Sequence, residues 1–302
     1  MQNYNSKFKI IFILIINFVL FPVAVQGAVL YLEPASGEYY WDDVFVAEIK
    51  IDTEGEEINA VKIDLTFFQE LLEAKDFSQG NSILAFWPEG PSFSNQEGTI
   101  SFVGGVPGGF QGDGLLGKLV FQTKKSGEQF SAQSAAVRFL DSSQVLLNDG
   151  LGTPAELITK EAIFTIFPEK REVSEDQWRK ELEKDDIPPE SFEIIISQDP
   201  FLFEGKYFIV FQTQDKQTGI DYYEVKEGKR DWQRAESPYL LEDQSLKSII
   251  KVKAVDKAGN ERMAEITPPY KVTWKDIIPW IILVIIFGLV IWWLSKLFNF
   301  RC

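Results

Sequence analysis

The sequence has no histidine and only one cysteine among its 302 residues. Ser-His-Asp and Cys-His catalysis both need an imidazole, and the usual zinc sites need histidines or several cysteines, so these chemistries are excluded. The single cysteine, Cys302, is the last residue, which means that no internal disulfide can form and that the domains must be stabilised by their hydrophobic cores. Histidine- and cysteine-based enzymes are thus excluded, and for the whole chain we expect a protein that is not an enzyme.

Paired-carboxylate chemistry remains open on composition alone, because it needs only Asp and Glu, of which there are 45. Nothing in the sequence places two of them in one cleft. Two segments, Gly112-Asp113-Gly114 and Asn148-Asp149-Gly150, superficially resemble calcium loops but lack the alternating oxygen ligands and the closing glutamate. No cofactor is predicted. Binding of calcium to the acidic surface remains open, but no sequence motif supports it.

Basic residues are scarce, with 30 Lys and Arg against 45 Asp and Glu and a net charge of −15. The acidic excess lies between two apolar ends, which contain no acidic residue and only four basic ones: Lys7, Lys9, Lys296 and Arg301. An acidic surface repels phosphate backbones and anionic headgroups. We therefore expect no nucleic-acid partner and no peripheral binding to lipid.

Long apolar runs occur only at the two ends of the chain. At the N-terminus, Lys7 and Lys9 precede an apolar run over 10–25, and the small residue Gly27 suits cleavage before Ala28. This pattern predicts a signal peptide over 1–27. A retained N-terminal anchor is the alternative, since the run is close to the lower length limit for a membrane span.

The second apolar run, 277–294, contains no charged residue and predicts a transmembrane helix. Tryptophans, which favour the membrane interface, bracket it: Trp274, Trp280, Trp292 and Trp293. The tail 295–302 contains Lys296 and Arg301, so the positive-inside rule places it in the cytoplasm. We expect a single-pass plasma-membrane protein with its ectodomain outside the cell.

Residues 28–167 alternate between short strand patterns and turns rich in Gly, Asn, Asp and Ser, which predicts an all-β sandwich. The clearest strand has apolar Val61, Ile63, Leu65 and Phe67 alternating with the outward positions Ala60, Lys62, Asp64 and Thr66. Further strands are predicted over 99–103, 117–123, 135–140 and 162–167.

The segment 168–189 is dense in charge, contains Trp178 and ends in Pro188-Pro189, which predicts a charged helical linker with a stiff end. Residues 190–270 are strand-rich again and predict a smaller sandwich of the immunoglobulin type. Its predicted core consists of Phe208, Val210, Tyr223, Val225, Trp232, Ile250, Val252 and Ala254.

Five segments of the first sandwich form a recognisable pattern of strands and turns: Asp43-Val44-Phe45-Val46, Ile58 to Phe67, Gly98 to Phe102, Gly112 to Phe121 and Val145 to Gly150. Through these segments the first sandwich resembles the cohesin domain, the jelly-roll module of cellulosome scaffolds. The resemblance implies a non-catalytic module that binds a dockerin-like partner, which this chain itself does not contain. The second module is similar to bacterial immunoglobulin-like or fibronectin-type spacers through Thr218 to Val225 and Val255 to Glu261.

In a cohesin-like sandwich, two neighbouring strands would form a flat partner-binding face. The candidate residues on it are Lys62, Asp64, Thr66, Thr99, Ser101 and Val103, with an ordinary solvated sheet face as the alternative. Trp87, in an apolar segment next to Pro88, is a candidate anchor for the same interface, although it would equally close the end of the core. The cluster Tyr39-Tyr40-Trp41 has the same two interpretations.

Two functions follow from these expectations. The first is a membrane-anchored surface adaptor whose cohesin-like module binds a dockerin-like protein module for extracellular assembly. The alternative is binding of a polysaccharide by the same sandwich, through exposed Trp87, Tyr40 or Trp41. Three coplanar exposed aromatic rings on one face would favour sugar, whereas a flat mixed polar and apolar face would favour protein.

Overall fold

The computed structural model describes residues 27–125, 131–268 and 274–299. Apart from Gly27, the predicted signal peptide lies outside the described residues, and so do residues 300–302 of the predicted tail. The chain divides into two units. One consists of Met1–Ile187 together with Gln214–Gly219, and the other of Pro188–Thr213 together with Ile220–Cys302. Strands dominate both units, which confirms the prediction of an all-β fold.

The described part of the first unit contains twelve strands. They are β1 (Ala28–Glu33), β2 (Ser36–Trp41), β3 (Val44–Asp52), β4 (Ile58–Phe67), β5 (Leu72–Ser78), β6 (Phe86–Ser94), β7 (Thr99–Phe110), β8 (Asp113–Thr123), β9 (Gln133–Phe139), β10 (Gln144–Leu147), β11 (Leu157–Thr159) and β12 (Ala162–Lys170). One sheet has the order β11-β1-β3-β8-β5. The other has the order β2-β12-β9-β4-β7-β6, and β10 also pairs with β4.

The strand pairs are antiparallel except for β1 with β11 and β2 with β12, which are parallel. Alternate residues of each sheet point inward and form one core between the two sheets, as the alternation of β4 predicts. Phe45 is fully buried in this core, stacked on Tyr39 with 3.9 Å between ring centroids and 4.8 Å from the ring of Phe164.

A helix over Gln177–Leu182 covers part of the outer surface of the first sheet. Asp176 caps its N-terminus, and the Asp176 side chain accepts a hydrogen bond from the Arg179 N–H at 2.8 Å. Trp178 is buried against Val46 and Val120. Successive residues of β3 are therefore buried on both faces of the sheet, because the core covers one face and this helix covers the other.

Asp43 connects the start of β3 to the chain that precedes this helix. Its side chain is 1% exposed; Oδ2 accepts a hydrogen bond from the Tyr40 N–H at 2.8 Å and Oδ1 accepts one from the Glu175 N–H at 2.9 Å. The Val44 N–H in turn donates to the Glu175 carbonyl at 2.7 Å. Part of the segment for which the sequence predicts a linker is thus bonded to the first unit.

Tyr31 gives the first unit a pH-dependent contribution to stability. Burial, and next a hydrogen bond donated to Asp113, raise the pKa of Tyr31 to about 12. Because the folded pKa lies above the ordinary value of 10.0, the contribution is present below pH 10 and is lost between pH 10 and about 12. The protection of the β1 amides, measured against the intrinsic exchange rate at each pH, should fall over this range, and Tyr31→Phe should reduce this fall; an unchanged pH profile in this variant would contradict the assignment.

The described strands of the second unit form two small sheets. They are β13 (Ile195–Gln198), β14 (Tyr207–Val210), β15 (Ile220–Glu227), β16 (Gln233–Ala235), β17 (Tyr239–Leu240), β18 (Ile250–Asp256) and β19 (Glu261–Ile266). The sheet orders are β13-β14-β17 and β16-β15-β18-β19. A hydrophobic core lies between them and contains Ile209, Phe211, Val225, Ile250 and Val252.

Two residues predicted for this core are not buried, and a third, Phe208, is buried against Phe203 outside the core cluster. Val210 is 37% exposed, because Ile209 and Phe211 are the residues of this stretch that point into the core. Trp232 is only partly buried and lies beneath two ammonium groups, those of Lys226 at 5.8 Å and Lys253 at 5.0 Å from the ring centroid.

A short 3₁₀ helix spans Phe203–Gly205, and a long α-helix spans Trp274–Asn299. Its window Ile277–Leu294 has a mean hydropathy of 2.7 and is long and apolar enough to cross a membrane. Among the described residues this is the single helix with that property, in agreement with the sequence analysis.

Candidate functional site

The six candidate residues on β4 and β7 lie on one outer face of the second sheet. The facing pairs are Lys62 with Val103, Asp64 with Ser101, and Thr66 with Thr99. The residues between them point the other way and are buried in the core, namely Ile63, Leu65, Ile100 and Phe102. Period-two alternation therefore brings all six together, as the sequence predicts.

Internal bonds fix several polar groups of this face. Lys62 Nζ lies 3.3 Å from Asp64 Oδ2, so this cation is paired within its own strand. The Ser101 and Ser92 hydroxyls lie 3.1 Å apart, and the Thr66 hydroxyl donates to the Gly98 carbonyl at 3.0 Å. These contacts hold the polar groups in place before any partner arrives.

Ser143 completes the β4 edge of the face. β4 pairs with β10 along one part of this edge and with β9 along another, which leaves the backbone of Asp64 between the two. The Asp64 N–H donates to Ser143 Oγ at 3.1 Å, and the same hydroxyl donates to the Asp64 carbonyl at 2.9 Å. The candidate carboxylate is therefore carried by a strand that is bonded along both edges.

An apolar pocket of about 320 Å³ lies at one end of the face. Its lining includes Phe86, Pro88, Val103, Val106 and Pro107 together with the amide side chains of Asn59 and Asn148. Phe86 is 53% exposed and lies over Gly105, where a Cβ atom would approach its ring to 3.4 Å. The ring of Phe86 thus forms part of the wall of the pocket.

Trp87 points away from this face. Its ring packs against Phe102 at 5.5 Å and Phe77 at 6.1 Å between centroids, at the edge of the core. Trp87 therefore closes the end of the core, which is the second of the two interpretations given for it in the sequence analysis. Phe86, which the sequence analysis did not single out, is the exposed aromatic residue beside the pocket.

The three aromatic rings of the cluster on β2 are also largely covered by other side chains. Tyr39 is buried on Phe45. Tyr40 stacks on Phe167 at 5.1 Å and has the Arg171 guanidinium 4.1 Å from its ring centroid. Trp41 has two ammonium groups near its ring, those of Lys125 at 5.2 Å and Lys170 at 5.1 Å.

Of the two segments that superficially resemble calcium loops, Asn148-Asp149-Gly150 forms a bend and Gly112-Asp113-Gly114 leads into β8, and both carboxylates are bonded within the protein. Asp149 accepts hydrogen bonds from the Thr153 hydroxyl and, at 2.8 Å, from the Leu151 N–H. The Thr153 bond is the main cause that lowers the pKa of the Asp149 carboxyl. Asp113 accepts from the Tyr31 hydroxyl and lies 3.4 Å from Lys50 Nζ.

A scan against protein-family models and a search of the curated proteins give no match. Solved structures do match part of the chain. A cohesin in a type I cohesin–dockerin complex from Clostridium thermocellum is 16% identical, with a TM-score of 0.40, over 47% of this chain and 94% of that chain.

Two further matches are a non-cellulosomal cohesin from the archaeon Archaeoglobus fulgidus and a cohesin module of a family 33 glycoside hydrolase from Clostridium perfringens. The first is 18% identical, with a TM-score of 0.39, over 46% of this chain and 91% of that chain. The second is 15% identical, with a TM-score of 0.37, over 47% of this chain and 97% of that chain. Similarities of this strength assign neither a family nor a partner to the chain.

Proposed function

We propose that the first unit is a protein-binding module and that its outer face over β4, β7 and β6 binds a dockerin-like module of another chain. The observation that carries the proposal is the apolar pocket at the end of a mostly polar sheet face. Protein interfaces typically combine a small apolar centre, which supplies most of the affinity, with a polar rim that fixes orientation. The resemblance of the sequence to cohesins supports the same function.

In this arrangement the pocket receives an apolar side chain of the partner, between Phe86 and Val103. Lys62 and Asp64 form part of the rim, where a paired charge contributes mainly to orientation and partner choice. The acidic excess of the chain favours a partner whose contact surface is neutral or basic.

Polysaccharide binding is the weaker alternative, because sugar-binding sandwiches need a row of exposed aromatic rings. Among the described residues of the β4–β7 face there is no such row, and Phe86 is a single ring at its end. Tyr40 and Trp41 have cationic groups near their rings.

We further propose that the signal peptide directs the chain to the cell surface and that the C-terminal helix anchors it there. The first unit would then be displayed outside the cell, with the short tail in the cytoplasm. The second unit would serve as an immunoglobulin-like spacer between the binding module and the membrane.

Full-length protein in nanodiscs is first used to capture its partner from the secreted fraction of its own cells, and the affinity is then measured with the purified partner. Two variants are compared with the wild type. Exchanging the rim charges, by Lys62→Glu with Asp64→Lys, and introducing a cation into the pocket, by Val103→Arg, should each weaken binding at least about tenfold, or about 1.4 kcal/mol.

The matched control is the charge exchange Glu73→Lys with Lys75→Glu. This pair also lies two residues apart on one strand, at 3.2 Å, but on β5 in the other sheet. Its affinity should equal that of the wild type. Equal affinity in all variants would refute the assigned face, and retention of polysaccharide without any protein partner would refute the adaptor function.

A further inference from the structure

The segment Gln214–Gly219 of the first unit contains a buried carboxylate with one unused oxygen. Asp215 is 3% exposed. Its Oδ1 accepts hydrogen bonds from the backbone N–H groups of Gln217 at 2.9 Å, Thr218 at 2.8 Å and Gly219 at 2.9 Å. Its Oδ2 is buried as well, and within the described ranges it has no hydrogen-bond partner.

A second buried carboxylate lies beside it. Asp185 is 7% exposed, and one of its carboxylate oxygens lies within 4.8 Å of a carboxylate oxygen of Asp215. Asp185 Oδ1 accepts from the Ile187 N–H at 3.1 Å, and Oδ2 accepts from the Thr218 hydroxyl at 2.5 Å. Two residues far apart in the sequence thus bring two negative groups to one buried place.

The first unit holds this geometry rigidly. The Ser78 hydroxyl donates to the Thr218 carbonyl at 2.6 Å and accepts from the Gly80 N–H at 3.0 Å. Gly80 lies so close to the segment that a Cβ atom there would be 2.2 Å from the Gln217 carbonyl oxygen. The carboxylate of Asp215 therefore cannot simply turn towards solvent to satisfy its free oxygen.

A buried carboxylate oxygen without a donor is unfavourable, and a second carboxylate nearby adds repulsion. A bound cation removes both penalties at once. All the nearby ligand atoms are oxygens, which hard divalent cations prefer, and Ca²⁺ tolerates an irregular shell completed by carbonyl oxygens or water. We propose that Asp185 and Asp215 hold a Ca²⁺ ion. The inference is independent of the proposed partner-binding function.

The test uses the full chain in a neutral detergent, stripped of metal and titrated calorimetrically with Ca²⁺. A high concentration of NaCl screens the acidic surface, whereas a buried site is screened much less. The expected result is one Ca²⁺ per chain and a rise in the unfolding temperature on binding. Asp215→Asn keeps an oxygen for the three backbone N–H groups but replaces Oδ2 by an amide, so it should weaken Ca²⁺ binding at least about tenfold. Asp185→Asn should do the same.

Asp149→Asn is the matched control, because Asp149 also accepts backbone hydrogen bonds in a turn but is exposed. It should bind Ca²⁺ like the wild type. Hydrogen exchange of wild-type residues 214–219 gives a second measurement that needs no variant, and it should slow when Ca²⁺ is added. A wild-type chain that binds no Ca²⁺, unchanged exchange in this segment, or full binding by both aspartate variants would overturn the proposal.

Discussion

Replacing Phe45 with alanine should destabilise the first unit by about 3–5 kcal/mol. Phe45 is fully buried, and its ring contacts the rings of Tyr39, Phe121 and Phe164. These neighbours belong to strands of both sheets, so they cannot close the cavity without moving the sheets together. Hydrogen exchange measured by mass spectrometry reports the stability of each unit separately, and the strands of the first unit should lose protection.

Phe93→Ala makes the same chemical change at a residue of the edge strand β6 that is 40% exposed. Its cost should stay below about 1 kcal/mol, because partly exposed side chains leave smaller cavities. Equal losses of protection in the two variants would show that the ring cluster around Phe45 is not the centre of the core.

The second large effect is expected for Asp43→Asn, which should lower the free energy of unfolding of the first unit by about 2–3 kcal/mol. Both carboxylate oxygens of this buried residue accept backbone N–H groups, those of Tyr40 and Glu175. An asparagine amide has only one oxygen, so its NH₂ group must face one of these donors. Hydrogen exchange should therefore accelerate both at the start of β3 and in the helix Gln177–Leu182.

Asp42→Asn is the neighbouring control. Asp42 pairs with Lys170 near the surface and accepts from Gln122 at 2.7 Å. The Lys170 hydrogen bond is the main cause that lowers the pKa of the Asp42 carboxyl. Exposed ion pairs of this kind typically contribute about 0–1 kcal/mol. If Asp43→Asn left the helix as protected as Asp42→Asn does, the connection through Asp43 would not hold the helix in place.

The sequence was most informative where one face of a strand is apolar and the other polar. In β4 the alternation from Val61 to Phe67 correctly separates core from surface, and the outward set Lys62, Asp64 and Thr66 follows directly. In β14 the run around Phe208 to Phe211 is apolar at successive positions, so periodicity does not define a face. The predicted inward position of Val210 is wrong for this reason.

The pocket and the buried aspartates could not be predicted in the same way. β6 contains Pro88, Gly90 and Pro91, which weaken a strand signal but are tolerated at the edge of a sheet. Without a recognised strand, Phe86 and Trp87 could not be assigned to opposite sides. The proximity of Asp185 and Asp215 depends on tertiary packing, and no short motif encodes it.

Strand β12 is the route by which mechanical tension would leave the first unit towards the C-terminus. It pairs along one edge with β2 and along the other with β9. A pull along its axis would therefore shear hydrogen bonds on both sides together instead of peeling them apart singly. Before that tension reached β12, it would have to detach the segment Gln214–Gly219 from Ser78, then Glu175 from Asp43, and remove Trp178 from its site on Val46 and Val120. The first unit would therefore resist extension first through these contacts and only then through the hydrogen bonds of its sheets.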